Sequence, residues 1–234
     1  MTSRWASEVT ASAIHALEPY ADAKRAAGAF AYMKGVAPFI GVSAPERRKA
    51  LRNAWVNLDS PTSDELGQAA LELMWLPERE FHYAAYDLID RYRADADALF
   101  LRRFGAELLT TTPWWDTVDG LVSVMVSPMM RRYHDDQIVD EWSSSSDRWL
   151  IRAAIGHQRG WKRETDVPRV LQLCDVHWDS KEFFIAKAIG WAMRDIARME
   201  PIAIRDFLAD HHSANRVAIR EAERGLNVLP VRRV

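Results

Sequence analysis

Apolar residues in this chain recur three and four positions apart, and that spacing admits little besides α-helix. Phe81, Ala84, Ala85, Leu88, Ile89 and Tyr92 mark one face of such a helix, and Ile185, Ala188, Ile189, Ala192 and Ile196 mark another. No stretch of four or more residues alternates apolar and polar side chains between hairpin turns, so strands are not expected. Between the periodic segments lie Ser43-Ala44-Pro45-Glu46, Ser60-Pro61-Thr62, Leu76-Pro77-Glu78 and Thr112-Pro113-Trp114. Each offers a capping side chain or a proline suited to the first turn of a helix. The chain is predicted to be all-α.

A faint repeat runs through these helices. An aromatic followed one turn later by a small or apolar pair occurs as Phe81 with Ala84-Ala85, Trp149 with Ala153-Ala154, and Phe184 with Ala188-Ile189. The three aromatics stand 68 and 35 residues apart, two units and one unit of roughly 34, near the period of helical-pair repeats. Such pairs stack, curve and present one long concave face. With no low-complexity linker to divide it, residues 1–227 are expected to form a single domain, and 228–234 a tail that leaves the fold.

Composition narrows the setting. At 234 residues, 48% of them apolar, the chain can bury a full core, and disorder is not expected. No apolar run reaches the 18 residues or more of a membrane span, and the first residues lack an apolar signal core, so neither membrane insertion nor export is expected. Cys174 is the only cysteine, which fits a reducing, cytoplasmic home. A net charge of −2 looks wrong for a nucleic-acid partner. Yet only six of the 31 basic residues are lysine and the other 25 are arginine, whose planar fork matches phosphate oxygens. Arginine richness also follows from a GC-rich genome, so the placement of the bases has to decide.

Helical wheels give that placement at about 100° per residue. Opposite the apolar stripe of the 180–198 segment fall Lys187, Trp191, Arg194 and Arg198. A tryptophan among three cations either packs on another layer or is presented on a basic, ligand-facing surface. In the 147–159 segment Leu150, Ala153, Ala154 and His157 share one face, and Arg148, Arg152 and Arg159 share the other. Three arginines in register suit a phosphate backbone, where contacts are independent of sequence. His157 reads as a satisfied core histidine. No histidines, His211-His212 included, show metal-ligand spacing, and no metal is expected. In the 114–125 segment Trp114, Val118, Leu121 and Met125 form a core stripe with Trp115 and Asp119 together on its edge. Asp116 reads as a first-turn carboxylate complementing the helix dipole. An indole face attracts cations, and a carboxylate stabilises positive charge developing nearby, so Trp115, Asp119 and Trp191 suit a flat cationic substrate group.

These residues fall in blocks with an ordered spacing. They are Tyr32-Met33-Lys34, Pro45-Glu46-Arg47-Arg48, Leu76-Pro77-Glu78-Arg79-Glu80-Phe81 and Trp114-Trp115-Asp116-Thr117-Val118-Asp119. Trp149-Leu150-Ile151-Arg152-Ala153-Ala154, Ser180-Lys181-Glu182-Phe183-Phe184-Ile185 and Lys187-Ala188-Ile189-Gly190-Trp191 complete the series. From about Tyr32 to Leu226 the chain resembles the AlkD-type alkylpurine DNA glycosylases. The resemblance implies HEAT-like helical pairs stacked into a curved superhelical solenoid with a concave basic face. It also implies a monofunctional bacterial base-excision enzyme that removes N3- and N7-alkylated purines from duplex DNA without flipping the base. The position matching the family's catalytic carboxylate is Asp119. Those matching its lesion-contacting tryptophans are Trp115 and Trp191, its site arginine Arg152, and a tyrosine near the cleft Tyr32. Gly41-Val42-Ser43-Ala44-Pro45 departs from the family's usual polar pair before the proline.

An alkylated purine is already cationic and leaves readily, so no general acid is required. Asp119 is expected to stabilise the oxocarbenium-like sugar and position water, and no cofactor is expected. Tyr32, Arg47, Arg48, Arg148, Arg159, Lys187, Arg194 and Arg198 are expected to hold DNA. A monomer, associated with the bacterial nucleoid only through DNA, is the expected state. A helical-repeat protein that binds DNA without chemistry, or a protein-interaction scaffold, remains the alternative.

Overall fold

The computed structural model describes residues 3–211 and 216–227, and among them helices account for nearly all regular structure and no strand occurs. His212 and the expected tail 228–234 lie outside the described residues. The chain gathers into two compact units, Met1–Val126 and Ser127–Val234. The first holds α1 (Arg4–Leu17), α2 (Ala23–Tyr32), α3 (Ala44–Ala54), α4 (Ser63–Trp75) and α5 (Arg79–Tyr92). It continues through α6 (Ala106–Thr110) and α7 (Trp115–Leu121) to a π-helical stretch, Val122–Val126. The second holds α8 (Ser127–Tyr133), α9 (Asp136–Ser143), α10 (Arg148–Ile155) and α11 (Val167–Val176). It ends with α12 (Phe183–Ala197), α13 (Pro201–Asp210) and α14 (Arg216–Leu226).

The starts of these helices follow from their caps. Ser43 and Glu46 form a reciprocal capping box on α3, with Pro45 in the first turn, and Thr62 and Glu65 do the same for α4. Asp147 caps α10 by accepting from the Trp149 and Leu150 amides, and Asp166 caps α11 through the Arg169 amide. Before α7 the chain turns through Thr112 at φ 42°, and Thr117 closes the turn on Trp114.

The helices bury the faces that the periodicity marks. In the first unit α5 packs on α3, α4 and α7, burying Phe81, Ala84, Ala85, Leu88, Ile89 and Tyr92. In the second, α12 packs on α10, α11, α13 and α14, burying Ile185, Ala188, Ile189 and Ile196. Cys174 lies on the inward side of α11, fully enclosed. The repeat appears as contacts one period apart. Trp149 and Phe184 pack as a tilted pair with ring centroids 4.8 Å apart, and Ser143 bonds His177 at 2.9 Å. Trp161 Nε1 donates to the Ser127 carbonyl at 3.1 Å. Within the second unit, neighbouring helical pairs are thereby fastened to one another, as stacked repeats require.

α12 and α14 come into close contact at Gly190. A Cβ built there would lie 2.8 Å from Glu221 Cβ and 3.1 Å from Ala218 Cα, closer than side chains tolerate. Gly190→Ala gains helix propensity of about 1 kcal/mol, but overpacking at a rigid contact costs roughly 1–3 kcal/mol. A net loss of stability is expected, read as a lower midpoint in urea denaturation. An unchanged or raised midpoint would mean that the two helices separate freely.

Candidate functional site

In the first unit the expected site residues sit on α7. Trp115 and Asp119 are both half-buried, one turn apart on the same helix. What aims that helix is a buried ion pair absent from the sequence reading. Arg79, at the start of α5, is 1% exposed. Its guanidinium meets Asp116 twice, through Nη2 at 2.5 Å and Nε at 3.1 Å. The remaining guanidinium N–H groups reach the Thr112 carbonyl at 2.7 Å, Thr117 Oγ1 at 3.0 Å and His82 Nδ1 at 3.2 Å. All five donors of the fork are therefore matched. Tyr83 donates a further hydrogen bond to Asp116 at 2.5 Å, and burial with that carboxylate pushes the phenol's pKa up. Asp116, expected to serve the helix dipole, lies in the first turn of α7 and also receives this buried charge.

Glu80 works in the opposite direction. It is buried, and its carboxylate accepts from the amides of Ile40, Gly41 and Val42 at 2.9, 2.8 and 3.1 Å. Gly41 holds φ at 93°, and a Cβ there would fall 2.0 Å from the Asp22 carbonyl. The departure noted around Gly41-Val42 thus sits where the backbone itself is recruited. Tyr32, at the end of α2, is 71% exposed. Of the neighbouring bases, Arg48 is exposed, whereas Arg47 is not available as expected. It is buried, donates to Asp87 at 3.0 Å and stacks on Tyr83 with its guanidinium 4.9 Å from the ring. Enclosed and paired in this way, it presents little surface to a phosphate, and its placement does not support the expected contact with DNA.

In the second unit the observed centre is Trp191. Its half-buried indole has four cations within 6 Å of the ring centroid: Arg152 at 5.0 Å, Arg159 at 5.2 Å, and Lys187 and Arg194 at 5.9 Å. The wheel placed Lys187, Trp191 and Arg194 together, and the structure agrees. It differs over α10, which ends at Ile155, so Arg159 lies in the following turn and reaches Trp191 from outside the helix. Arg148 is exposed on its own account, 5.2 Å over Trp149 and paired with Glu182. Arg152 is 3% exposed and donates to the Phe184 carbonyl at 2.6 Å, so it anchors the indole rather than sharing an open face with Arg148. Arg198 remains exposed near the end of α12. Two further expectations shift for the same reason of helix boundaries. Trp114 is half-buried, not core, since it is the extended residue before α7, and Leu150 is half-buried at the first turn of α10.

The cluster around Trp191 has a counter-charge that the sequence reading missed. Glu221 of α14 is 1% exposed and accepts from Lys187 at 2.9 Å, Arg194 at 2.9 Å and Arg224 at 2.8 Å. Burial would raise its carboxyl, but the Lys187 bond and the three charges outweigh it and hold the group below its ordinary range. Among the described residues, no three His, Cys, Asp or Glu side chains converge as metal ligands. None of the described helices is long and apolar enough to cross a membrane.

Removing one partner of the Arg79–Asp116 pair leaves a buried charge uncompensated, at a cost of about 3–5 kcal/mol. Arg79→Met is expected to lower the thermal midpoint sharply, and a midpoint within about a degree of wild type would show the pair to be dispensable. A second expectation concerns acid. His82 and His157 are buried and neutral, one in each unit, and desolvation lowers each from 6.5 to about 4. Below pH 6.5 the unfolded chain takes up protons that the folded chain refuses. Stability contributed by each histidine is thus complete above 6.5 and is lost as pH falls towards 4, on the order of 3 kcal/mol apiece at most. Urea midpoints measured from pH 7 to pH 4 should fall through this window, and His82→Gln should flatten the slope.

A family model described as "DNA alkylation repair enzyme" matches residues 13–226. A solved structure described as a "predicted DNA alkylation repair enzyme from Enterococcus faecalis" shares the fold with a TM-score of 0.80 at 24% identity, covering 89% of this chain and 98% of that one. A comparison with curated proteins gave no significant match. With the family model spanning both units and every expected site residue, the chain belongs to the DNA alkylation repair enzyme family and has a role in DNA repair.

Proposed function

We propose that this protein is a monofunctional DNA glycosylase that hydrolyses the N-glycosidic bond of cationic N3- and N7-alkylated purines in duplex DNA. The observation that carries the proposal is the half-buried indole of Trp191 surrounded by Arg152, Arg159, Lys187 and Arg194. A phosphodiester suits the exposed Arg159 and the partly exposed Lys187 and Arg194, and the indole face holds the cations in place, each such contact worth about 0.5–2 kcal/mol. Trp191 thus already has cationic neighbours, which favours a role in setting the arginines and lysine towards phosphate over a role of stacking on the lesion alone. Arg48, Arg148 and Arg198, exposed on their helices, extend the set of phosphate contacts, and Tyr32 offers an exposed ring near the N-terminus.

Asp119 supplies the chemistry. Its carboxylate stabilises the sugar as the bond from C1′ to the purine nitrogen breaks and the base departs as a neutral molecule. Water then adds its oxygen to C1′ and gives its proton to the Asp119 carboxylate, from which it passes to solvent. The bonding electrons pass to the cationic ring and neutralise it while the positive charge moves to the sugar, so no acid is needed to protonate the leaving base. Trp115, one turn before Asp119, offers an aromatic face to the same sugar. This reading needs no cofactor. It also requires no pocket deep enough for an extruded base, and catalysis on the stacked nucleotide is part of the proposal. A monomer acting in the cytoplasm completes it.

Duplex DNA carrying 7-methylguanine or 3-methyladenine tests the reading directly. Wild-type protein should release both bases and leave uracil in place. Asp119→Asn should lose base release about 10²-fold or more while binding the duplex as before; wild-type excision by that variant would end the assignment. Trp191→Ala should lower excision at least several-fold with the thermal midpoint nearly unchanged. Binding without any release by the wild type would leave a DNA-binding repeat protein in its place.

A further inference from the structure

Glu221 stands out as a buried acid that the proposed chemistry does not use. It belongs to α14, away from the blocks that carry the site, yet it is enclosed and grips two of the four cations around Trp191. Its third partner, Arg224, sits one turn along the same helix, is exposed, and is not among the cations around the Trp191 ring. The backbone is arranged to make the reach possible. Gly190, one residue before Trp191, lets α14 come so close that a Cβ on it would strike Glu221 Cβ. Gly225 repeats the accommodation one turn on, where a Cβ would meet the Arg194 carbonyl at 2.7 Å. A helix pressed against the site helix through glycine on each, delivering one carboxylate between two site cations, is more than packing requires.

We propose that Glu221 is a positioning residue. It fixes Lys187 and Arg194 beside Trp191, and it gives up part of the protein's attraction for DNA in exchange for their geometry. The inference rests on the reading of these cations as phosphate ligands. The carboxylate cancels one of the three charges it touches and limits the rotamers of the two that face the ring. Without it both side chains regain freedom, and the local charge rises by one. Affinity and catalysis should then move in opposite directions. A carboxylate that merely stabilised the fold would move neither in the folded molecules that remain.

The experiment uses the full chain with three substitutions: Glu221→Gln, Glu221→Asp and Arg224→Gln. Binding is measured on an undamaged duplex over a range of salt, and base release under single turnover on saturating 7-methylguanine duplex. For Glu221→Gln the expected result is tighter binding by about two- to threefold and a salt slope steeper by up to about one unit. Release should be slower by about tenfold. Glu221→Asp keeps the charge but withdraws the oxygens by one methylene. It should bind within about twofold of wild type and release base several-fold more slowly, and it carries the question if the glutamine variant does not fold. Arg224→Gln should match wild type in rate. Release rates within twofold of wild type for both Glu221 variants overturn the proposal. So does a loss of rate that merely tracks the unfolded fraction seen by circular dichroism. If the wild type releases no base, the glycosylase reading fails, and the salt slope of Glu221→Gln still decides: an unchanged slope removes Glu221 from this role.

Discussion

A guanidinium taken out of water is tolerable only when every N–H finds an acceptor and its charge a counterpart, and the first unit is organised around meeting that demand. Arg79 reaches forward from the start of α5 to Asp116, Thr117 and the Thr112 carbonyl. Its neighbour Glu80 reaches back to three successive amides at 40–42. Two adjacent side chains of opposite sign thus tie one helix to the segments before and after it, 33 to 40 residues away. Hydrophobic contact alone lets a helix slide or rotate by a fraction of a turn. A five-donor fork does not, and the helix bearing Trp115 and Asp119 inherits that register.

The second unit solves a related problem with the signs exchanged. There a single carboxylate, Glu221, is enclosed among Lys187, Arg194 and Arg224, and the site side is positive. Arg152 is held by the Phe184 carbonyl and by the face of the Trp191 indole. In one unit the enclosed side chain is a base that orients the helix bearing Asp119; in the other it is an acid that gathers two of the bases beside Trp191. The same repeat architecture hosts both because successive helical pairs meet through the same short span of positions.

Much of this was legible in the sequence, and the misses share a cause. Periodicity gave α5 and α12 with their inward faces, and the serine and threonine caps gave the starts of α3 and α4. The aromatic echo of Trp149 and Phe184 turned out to be a tilted pair in contact across one repeat. Wheels went astray where a helix stopped sooner than the pattern. Trp114 precedes its helix and Arg159 follows its own, so neither obeys an angle counted along the axis. Arg47 and Arg152 look like surface bases by residue type, and only the packing of a second helix reveals them as enclosed. Glu80, Arg79 and Glu221 went unseen because their partners lie one repeat away, and a single sequence does not say which residues of adjacent repeats meet.

Cys174 acquires a meaning from its burial. Enclosure, and secondarily the charge of Asp175, pushes its thiol up to about 12, so at neutral pH the sulfur stays protonated and sealed from solvent. Electrophiles that damage DNA attack thiolates readily, and soft nucleophiles exposed to them are consumed. A repair protein whose one sulfhydryl is hidden and unionised keeps working in the chemical conditions that generate its task, with no thiolate of its own to be modified.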